Sequence, residues 1–159
     1  MASNLINVNQ FAPLPTVGMC LNPSHGMRIE AEYFPSVADS TITPCTPCKF
    51  VAGASNANIS VDVTSSGELP TAGILIYDSS KRNVYSKGQY VTLARINSIV
   101  LFTAANTITA NQVLTITSGR TVEPAGNGVP AIGIALDNAA QNQPVRVLLV
   151  EPYKTSAGS

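Results

Sequence analysis

Residues 129–150 read VPAIGIALDNAAQNQPVRVLLV, in which two short apolar runs are separated by a polar turn rich in asparagine and glutamine. Short apolar runs between turn residues are typical of β-strands, whereas an amphipathic helix would repeat its apolar residues every three or four positions over a longer stretch. This stretch therefore predicts a strand, a turn and a second strand.

A similar stretch occurs 60 residues earlier, where residues 69–78 read LPTAGILIYD and residues 88–93 read GQYVTL. In both places a proline is followed three residues later by a glycine, and then by an apolar run that ends at an acidic or amide residue. We therefore interpret residues 69–93 and 129–147 as two versions of one strand–turn–strand unit. Chance similarity within a β-rich sequence is the alternative.

The rest of the chain favours the same class of structure. Short β-branched runs recur between turn residues, and no window of about a dozen residues keeps the period of an amphipathic helix. The 11 prolines and 11 glycines are spread along the chain. These features predict an all-β fold, namely a small antiparallel β-barrel or sandwich.

The two ends of the chain differ in composition from its middle. Residues 1–25 contain three prolines and few strand-like runs, which predicts an extended N-terminal arm. Residues 26–152 form the predicted β core. Residues 153–159 are mostly small and polar, which predicts a flexible tail.

Charge is scarce and balanced, because 9 basic and 9 acidic side chains make up only 11% of the sequence. A neutral surface neutralises few phosphates, so we expect no nucleic-acid partner. We also expect no membrane partner, since the sequence lacks a basic cluster and a long apolar segment. The N-terminus lacks a secretory signal pattern, which predicts synthesis in the cytoplasm with reduced cysteines. Low charge fits either a surface rich in Ser, Thr and Asn or one covered in an assembly.

The stretch TPCTPCKF at residues 43–50 contains two cysteines three positions apart, a spacing also found in zinc sites. In three stretches, similar residues lead through a turn into a predicted strand: ITPCTPCKF (42–50), YSKGQYVTL (85–93) and ITANQVLTI (108–116). Cys45, Gly88 and Asn111 occupy the same place in them, and glycine and asparagine tolerate a positive φ angle. We therefore predict that Cys45 is a turn residue and that Cys48 is a core residue.

Few other residues suggest catalysis or metal binding. Cys20 and His25 are the remaining cysteine and histidine, so a Cys3His zinc site or a Cys20–His25 dyad is the alternative to purely structural cysteines. Glu30 and Glu32 share one face of a predicted strand and are candidates for the paired carboxylates of a glycosidase. Neither pattern has the usual motif context, so we expect no enzyme activity, no bound metal and no cofactor.

Two phrases, ITPCTPCKFVAG at 42–53 and GIALDNAAQNQPVRVLLV at 133–150, resemble the capsid cement, or head-decoration, proteins of tailed bacteriophages. PTVGMC at 15–20 is similar to the Gly-Met pair that follows a proline-rich start in this family. Cys45 and Cys48 depart from the family pattern, in which glycine and an aliphatic residue are expected. Both substitutes fit the turn and core roles predicted above.

The resemblance implies a virion protein without enzyme activity that lies on the outer surface of the head. It would be made in the host cytoplasm, and its partners would be the major capsid protein and other copies of itself in a homotrimer. It would stabilise contacts between capsid subunits. We expect residues 5–24 to make these contacts, through the following anchors: Phe11, Leu14, Val17 and Met19. The alternative is that these side chains cover the protein's own core.

A second hypothesis is a virion-associated β-module that binds glycans or a host receptor. Such modules favour exposed aromatic side chains. The chain has 5 tyrosines, 4 phenylalanines and no tryptophan, which gives this hypothesis little support.

Overall fold

A computed structural model of the chain describes residues 16–53, 58–78 and 82–156. Within these ranges it contains no helix, and the predicted all-β class is confirmed. The strands are β1 (Arg28–Tyr33), β2 (Thr41–Ile42), β3 (Pro47–Val51), β4 (Ser60–Val63), β5 (Gly73–Ile76), β6 (Tyr85–Ser86), β7 (Tyr90–Ala94), β8 (Ile99–Thr103), β9 (Val113–Ile116), β10 (Val122–Pro124), β11 (Pro130–Ala135) and β12 (Pro144–Lys154).

Five strands close into a first barrel in the order β1-β4-β3-β5-β7. The first and last strands close it, because β1 and β7 pair antiparallel from Arg28 opposite Ala94 to Glu32 opposite Tyr90. A short parallel ladder joins β1 to β4, with Glu32 opposite Ser60. The barrel encloses one apolar core, formed by the buried side chains of Ala31, Tyr33, Ile42, Cys48, Val61, Ala72, Leu75, Tyr85, Val91 and Leu93.

The other five main strands form a sheet in the order β10-β9-β11-β12-β8. An isolated parallel bridge joins Ala104, just after β8, to Val122 in β10. The bridge brings the two edge strands together, and the resulting curled sheet is named here the second barrel. Its strands supply most of a second apolar cluster, which includes Val100, Phe102, Leu114, Ile132 and Val147.

The two barrels have the same topology. In each, the first strand pairs antiparallel with the fifth and meets the third in parallel, while the second strand pairs with the third and the fourth. A short bridge also recurs, between Ile42 and Tyr85 in one barrel and between Ile108 and Ala139 in the other. The predicted repeat is confirmed as the fourth and fifth strands of each barrel, and the duplication extends to all five strands.

Four turns lead into strands in the same way, each with a positive-φ residue placed two positions before the strand. These residues are Cys45 (φ 69°), Gly88 (φ 81°), Asn111 (φ 72°) and Asn142 (φ 66°). Their N–H groups donate to main-chain carbonyls at 2.7–2.8 Å, from Cys45 to Leu75, from Gly88 to Tyr33, from Asn111 to Ala135 and from Asn142 to Ala104. The predicted turn role of Cys45 and core position of Cys48 are confirmed.

The ends of the described chain are held by the barrels. β12 continues to Lys154, two residues beyond the predicted end of the core, because Lys154 pairs with Pro130 of β11. Thr155 N–H then donates to the Val129 carbonyl at 3.1 Å. Residues 1–15 of the predicted arm and residues 157–159 of the predicted tail lie outside the described residues.

Candidate functional site

Residues 18–22, named here the strap, lie between the two barrels. Gly18 N–H donates to the Leu101 carbonyl of the second barrel at 2.7 Å. The Gly18 carbonyl accepts from Tyr77 N–H, next to β5 of the first barrel, at 3.1 Å. Further along the strap, Leu21 N–H donates to the Ile99 carbonyl at 2.7 Å. The described end of the predicted arm is therefore an added edge strand on β8.

Glycine is required at the start of the strap. Gly18 has a φ of +92°, which L side chains rarely adopt, and a Cβ added there would lie 2.6 Å from Pro44 Cβ and 3.3 Å from the Tyr77 ring. At the other end, the Asn22 side chain accepts from Ile99 N–H at 2.6 Å and donates to the Asn97 carbonyl at 2.8 Å. The strap is thus fixed at both ends.

The predicted arm anchors fall into two groups. Phe11 and Leu14 lie outside the described residues. Val17 packs against the core of the second barrel, and Met19 is half-buried, with its sulfur accepting from Thr16 N–H at 3.1 Å. The role of these four side chains as anchors for a partner stays a prediction.

The two cysteines of the TPCTPC stretch point into different cores. Cys45 belongs to the apolar cluster of the second barrel, and Cys48 belongs to that of the first. Burial raises the pKa of the Cys45 thiol to about 12 and raises the pKa of the Cys48 thiol even more. Among the described residues, no group of three or more His, Cys, Asp or Glu side chains is placed to hold a metal ion.

Glu30 and Glu32 lie on the outer face of β1, as their alternation predicts. Glu30 is opposite Thr92 and Glu32 is opposite Tyr90 on β7. Glu32 accepts a hydrogen bond from the Asn58 side chain at 3.4 Å, and Glu30 is exposed. The two carboxylates therefore form part of an open strand surface.

Large apolar side chains are exposed mainly on the first barrel and its loops. Among the described residues, seven of the eight exposed ones are Met27, Val37, Phe50, Ile59, Val63, Val84 and Tyr90, and the eighth is Tyr153 on β12. The second barrel has the same topology with one exposed large apolar side chain among its described residues. The topology therefore does not require such side chains to be exposed.

Two of these side chains, Ile59 and Tyr90, flank Glu32 and are named here the apolar patch. Tyr90 is the cross-strand partner of Glu32, and Glu32 N–H donates to the Ile59 carbonyl at 2.8 Å. Tyr90 is 56% exposed and Ile59 is 51% exposed. The equivalent of Tyr90 in the second barrel is Pro144, since each is the first residue of the last strand. Strand alternation did not predict this patch, because it does not show which outward-facing residues stay uncovered.

A groove of about 640 Å³ lies between the two barrels. It is lined by residues 41–42, 46–47, 63–68 and 70 of the first barrel and by residues 115–118, 120, 123, 128–130 and 132 of the second. Eight lining residues carry a hydroxyl group, namely Thr41, Thr46, Thr64, Ser65, Ser66, Thr115, Thr117 and Ser118. The charged lining residues are Glu68, Arg120 and Glu123. Glu68 is paired with Lys49 at 2.7 Å, and Arg120 donates to the Thr43 hydroxyl.

An ion pair fixes the turn between β11 and β12. The Arg146 guanidinium donates to both oxygens of the Asp137 carboxylate, at 2.6 and 2.9 Å. These hydrogen bonds lower the pKa of the Asp137 carboxyl. The pair is partly exposed to solvent.

The described residues include no helix long and apolar enough to cross a bilayer. No protein-family model matches the chain, and no curated protein matches it. A solved structure to which it is similar is the head fiber gp8.5 N base in bacteriophage phi29. The match has a TM-score of 0.49 and 15% sequence identity, and covers 79% of this chain and 95% of that chain.

Proposed function

We propose that the chain is a bacteriophage capsid decoration, or cement, protein. It binds the outer surface of the head as a homotrimer and stabilises contacts between major capsid protein subunits. The observation that supports this most directly is the concentration of exposed apolar side chains on one of two topologically equivalent barrels.

Clustered exposed apolar groups mark protein interaction surfaces, and the centres of interfaces are enriched in aromatic residues, methionine and arginine. The first barrel carries such residues in Met27, Phe50 and Tyr90, with the Arg95 guanidinium 5.8 Å from the centre of the Phe50 ring. The second barrel provides an internal comparison, because it has the same strand order and only Tyr153 of this kind among the described residues.

Within the patch, the exposed area of Tyr90 alone is large enough to contribute to binding. A tyrosine buries about 150–250 Å² when fully covered, so covering the 56% of Tyr90 that is exposed removes roughly 100 Å² from water. At about 25 cal/mol per Å² this burial contributes about 2.5 kcal/mol. Because the chain has no net charge and few charged side chains, we expect its binding to the head to depend little on salt.

The arm supplies the second part of the proposed contact. The strap uses residues 18–22 for hydrogen bonds to the protein's own barrels. Within the predicted contact segment we therefore assign the capsid-binding role to residues before Thr16, including Phe11 and Leu14. Because the strap is fixed at both ends, the position at which these residues join the barrels is also fixed.

The test is binding to heads purified without the protein. We expect Tyr90→Ser to weaken binding about 60-fold, the equivalent of 2.5 kcal/mol, with an unchanged melting temperature. Tyr153→Ser is the matched control, because it removes an exposed tyrosine from the second barrel, and it should bind normally. Deleting residues 1–15 should also weaken binding while the barrels keep their stability.

Sedimentation of bound heads measures the affinity, and light scattering measures the mass of the free protein. Equal losses for the two tyrosine variants would contradict the assignment of the first barrel. A protein that is monomeric both free and on heads would contradict the homotrimer.

A further inference from the structure

We propose that the groove between the two barrels binds a neutral carbohydrate chain. The inference can be tested separately from the proposed capsid role, because Ile59 and Tyr90 of the apolar patch lie outside the groove. Of the seven exposed apolar side chains of the first barrel, Val63 lines it. A volume of about 640 Å³ lies within the roughly 300–1,000 Å³ common for small-molecule sites. The groove is also formed by parts of two barrels, and ligand sites often occur at such boundaries.

The lining matches the hydrogen-bonding chemistry of sugars. A side-chain hydroxyl both donates and accepts, and so does each sugar hydroxyl. Ser66 and Ser118 are exposed in the groove, and their hydroxyl groups form no hydrogen bond with the described residues, whereas the Ser65 hydroxyl bonds to the Glu68 carboxylate. Thr64 Oγ1 is buried beside them and also lacks a partner there. A buried unpaired hydroxyl such as that of Thr64 favours a ligand that brings its own donors and acceptors, and the exposed serine hydroxyls are free to exchange bound water for such a ligand.

The charges in the groove disfavour anionic ligands. The lining has one cationic side chain, Arg120, against two carboxylates, Glu68 and Glu123. Glu123 accepts from the Asn106 side chain at 2.8 Å through Oε2, while Oε1 has no partner among the described residues. A carboxylate oxygen accepts hydrogen bonds from sugar hydroxyls but repels phosphates and acidic sugars. These features together select a neutral ligand.

Apolar side chains complete the lining. Pro47, Ile116, Val129 and Pro130 are half-buried around the groove and offer surfaces for the C–H faces of a sugar ring. The lining contains no aromatic side chain on which a ring could stack. We therefore expect weak binding, with a Kd on the order of 1 mM.

The experiment is an amide NMR titration of the full chain with four neutral tetrasaccharides, composed of glucose, mannose, galactose or N-acetylglucosamine. We expect at least one of them to shift the amide signals of groove residues such as Ser66 and Thr117. Ser118→Trp should fill the groove and abolish these shifts. Ser24→Trp is the matched control, because Ser24 is an exposed serine outside the groove, and it should bind like the wild type.

Two results would overturn the inference. One is the absence of groove shifts with all four tetrasaccharides at about 20 mM, well above the expected Kd. The other is loss of sugar binding in Ser24→Trp as well as in Ser118→Trp. A synthetic peptide of residues 1–15 is titrated in parallel, and groove shifts with this peptide but with no saccharide would assign the groove to peptide binding instead. Head binding by Ser118→Trp should be normal, which keeps this test separate from that of the capsid role.

Discussion

Replacing Gly18 with alanine tests whether the strap holds the two barrels together. The residue has a φ of +92°, and its new Cβ would lie 2.6 Å from Pro44 Cβ, closer than real Cβ contacts allow. Gly67→Ala is the matched control, because Gly67 has a similar φ of +78° but no atom within 4 Å of the added Cβ.

The two variants separate backbone strain from steric overlap. Placing alanine at a positive φ costs about 1 kcal/mol in both proteins. Overpacking against Pro44 and Tyr77 costs about 2 kcal/mol more and applies only to Gly18→Ala. We therefore expect losses in the free energy of unfolding of about 3 kcal/mol for Gly18→Ala and about 1 kcal/mol for Gly67→Ala.

Urea unfolding followed by far-ultraviolet circular dichroism measures both losses. Amide hydrogen exchange should also accelerate at Leu101, whose N–H donates to the Met19 carbonyl at 3.1 Å. Equal losses of stability in the two glycine variants would contradict the steric cost at Gly18, and unchanged exchange at Leu101 would contradict the role of the strap.

Three further predictions concern the cysteines and the Asp137–Arg146 pair. In the native protein at pH 8, a thiol reagent should modify half-buried Cys20 quickly and buried Cys45 and Cys48 slowly, and rapid reaction of all three thiols would contradict the two cores. The double variant Cys45→Ser, Cys48→Val should fold and bind heads normally, and any loss of either property on zinc chelation of the wild type would count against structural cysteines. Because the ion pair lowers the pKa of Asp137, its stabilisation is present at neutral pH and is lost as the pH falls through that lowered pKa. Melting curves from pH 7 to pH 2 should therefore show a weaker acid dependence for Arg146→Gln, and a profile identical to the wild type would refute this.

Local features of the fold were predictable from the sequence. The turn role of Cys45 followed from comparison with Gly88 and Asn111, because a positive φ angle restricts which residues fit. The core position of Cys48 followed from its place three residues later on the strand. The strand class followed from short β-branched runs, since their period does not depend on distant partners.

Features that depend on distant pairing were not predictable in this way. The predicted repeat covered only the fourth and fifth strands of each barrel. The second strands, β3 and β9, also share a turn pattern, but that pattern was not assigned to the repeat, and the first and third strands share a position in the sheet without sharing a residue pattern. The strap pairs with β8 across about 80 residues of sequence, and no local period marks that partner. The groove requires loops from both barrels to come together, so its hydroxyl residues look like ordinary surface residues in the sequence.

The order in which the strands are synthesised determines when the strap can pair during folding on a ribosome. The first barrel closes only after β7 has been synthesised. The strap can form its hydrogen bonds to β8 only later, because β8 follows β7 in the chain. Domains generally fold in the order in which they are made. The strap is therefore synthesised before the first barrel but fully secured only after it, so a chain stalled before β8 would carry a closed first barrel whose strap lacks its hydrogen bonds to Leu101 and Ile99 and keeps the one to Tyr77.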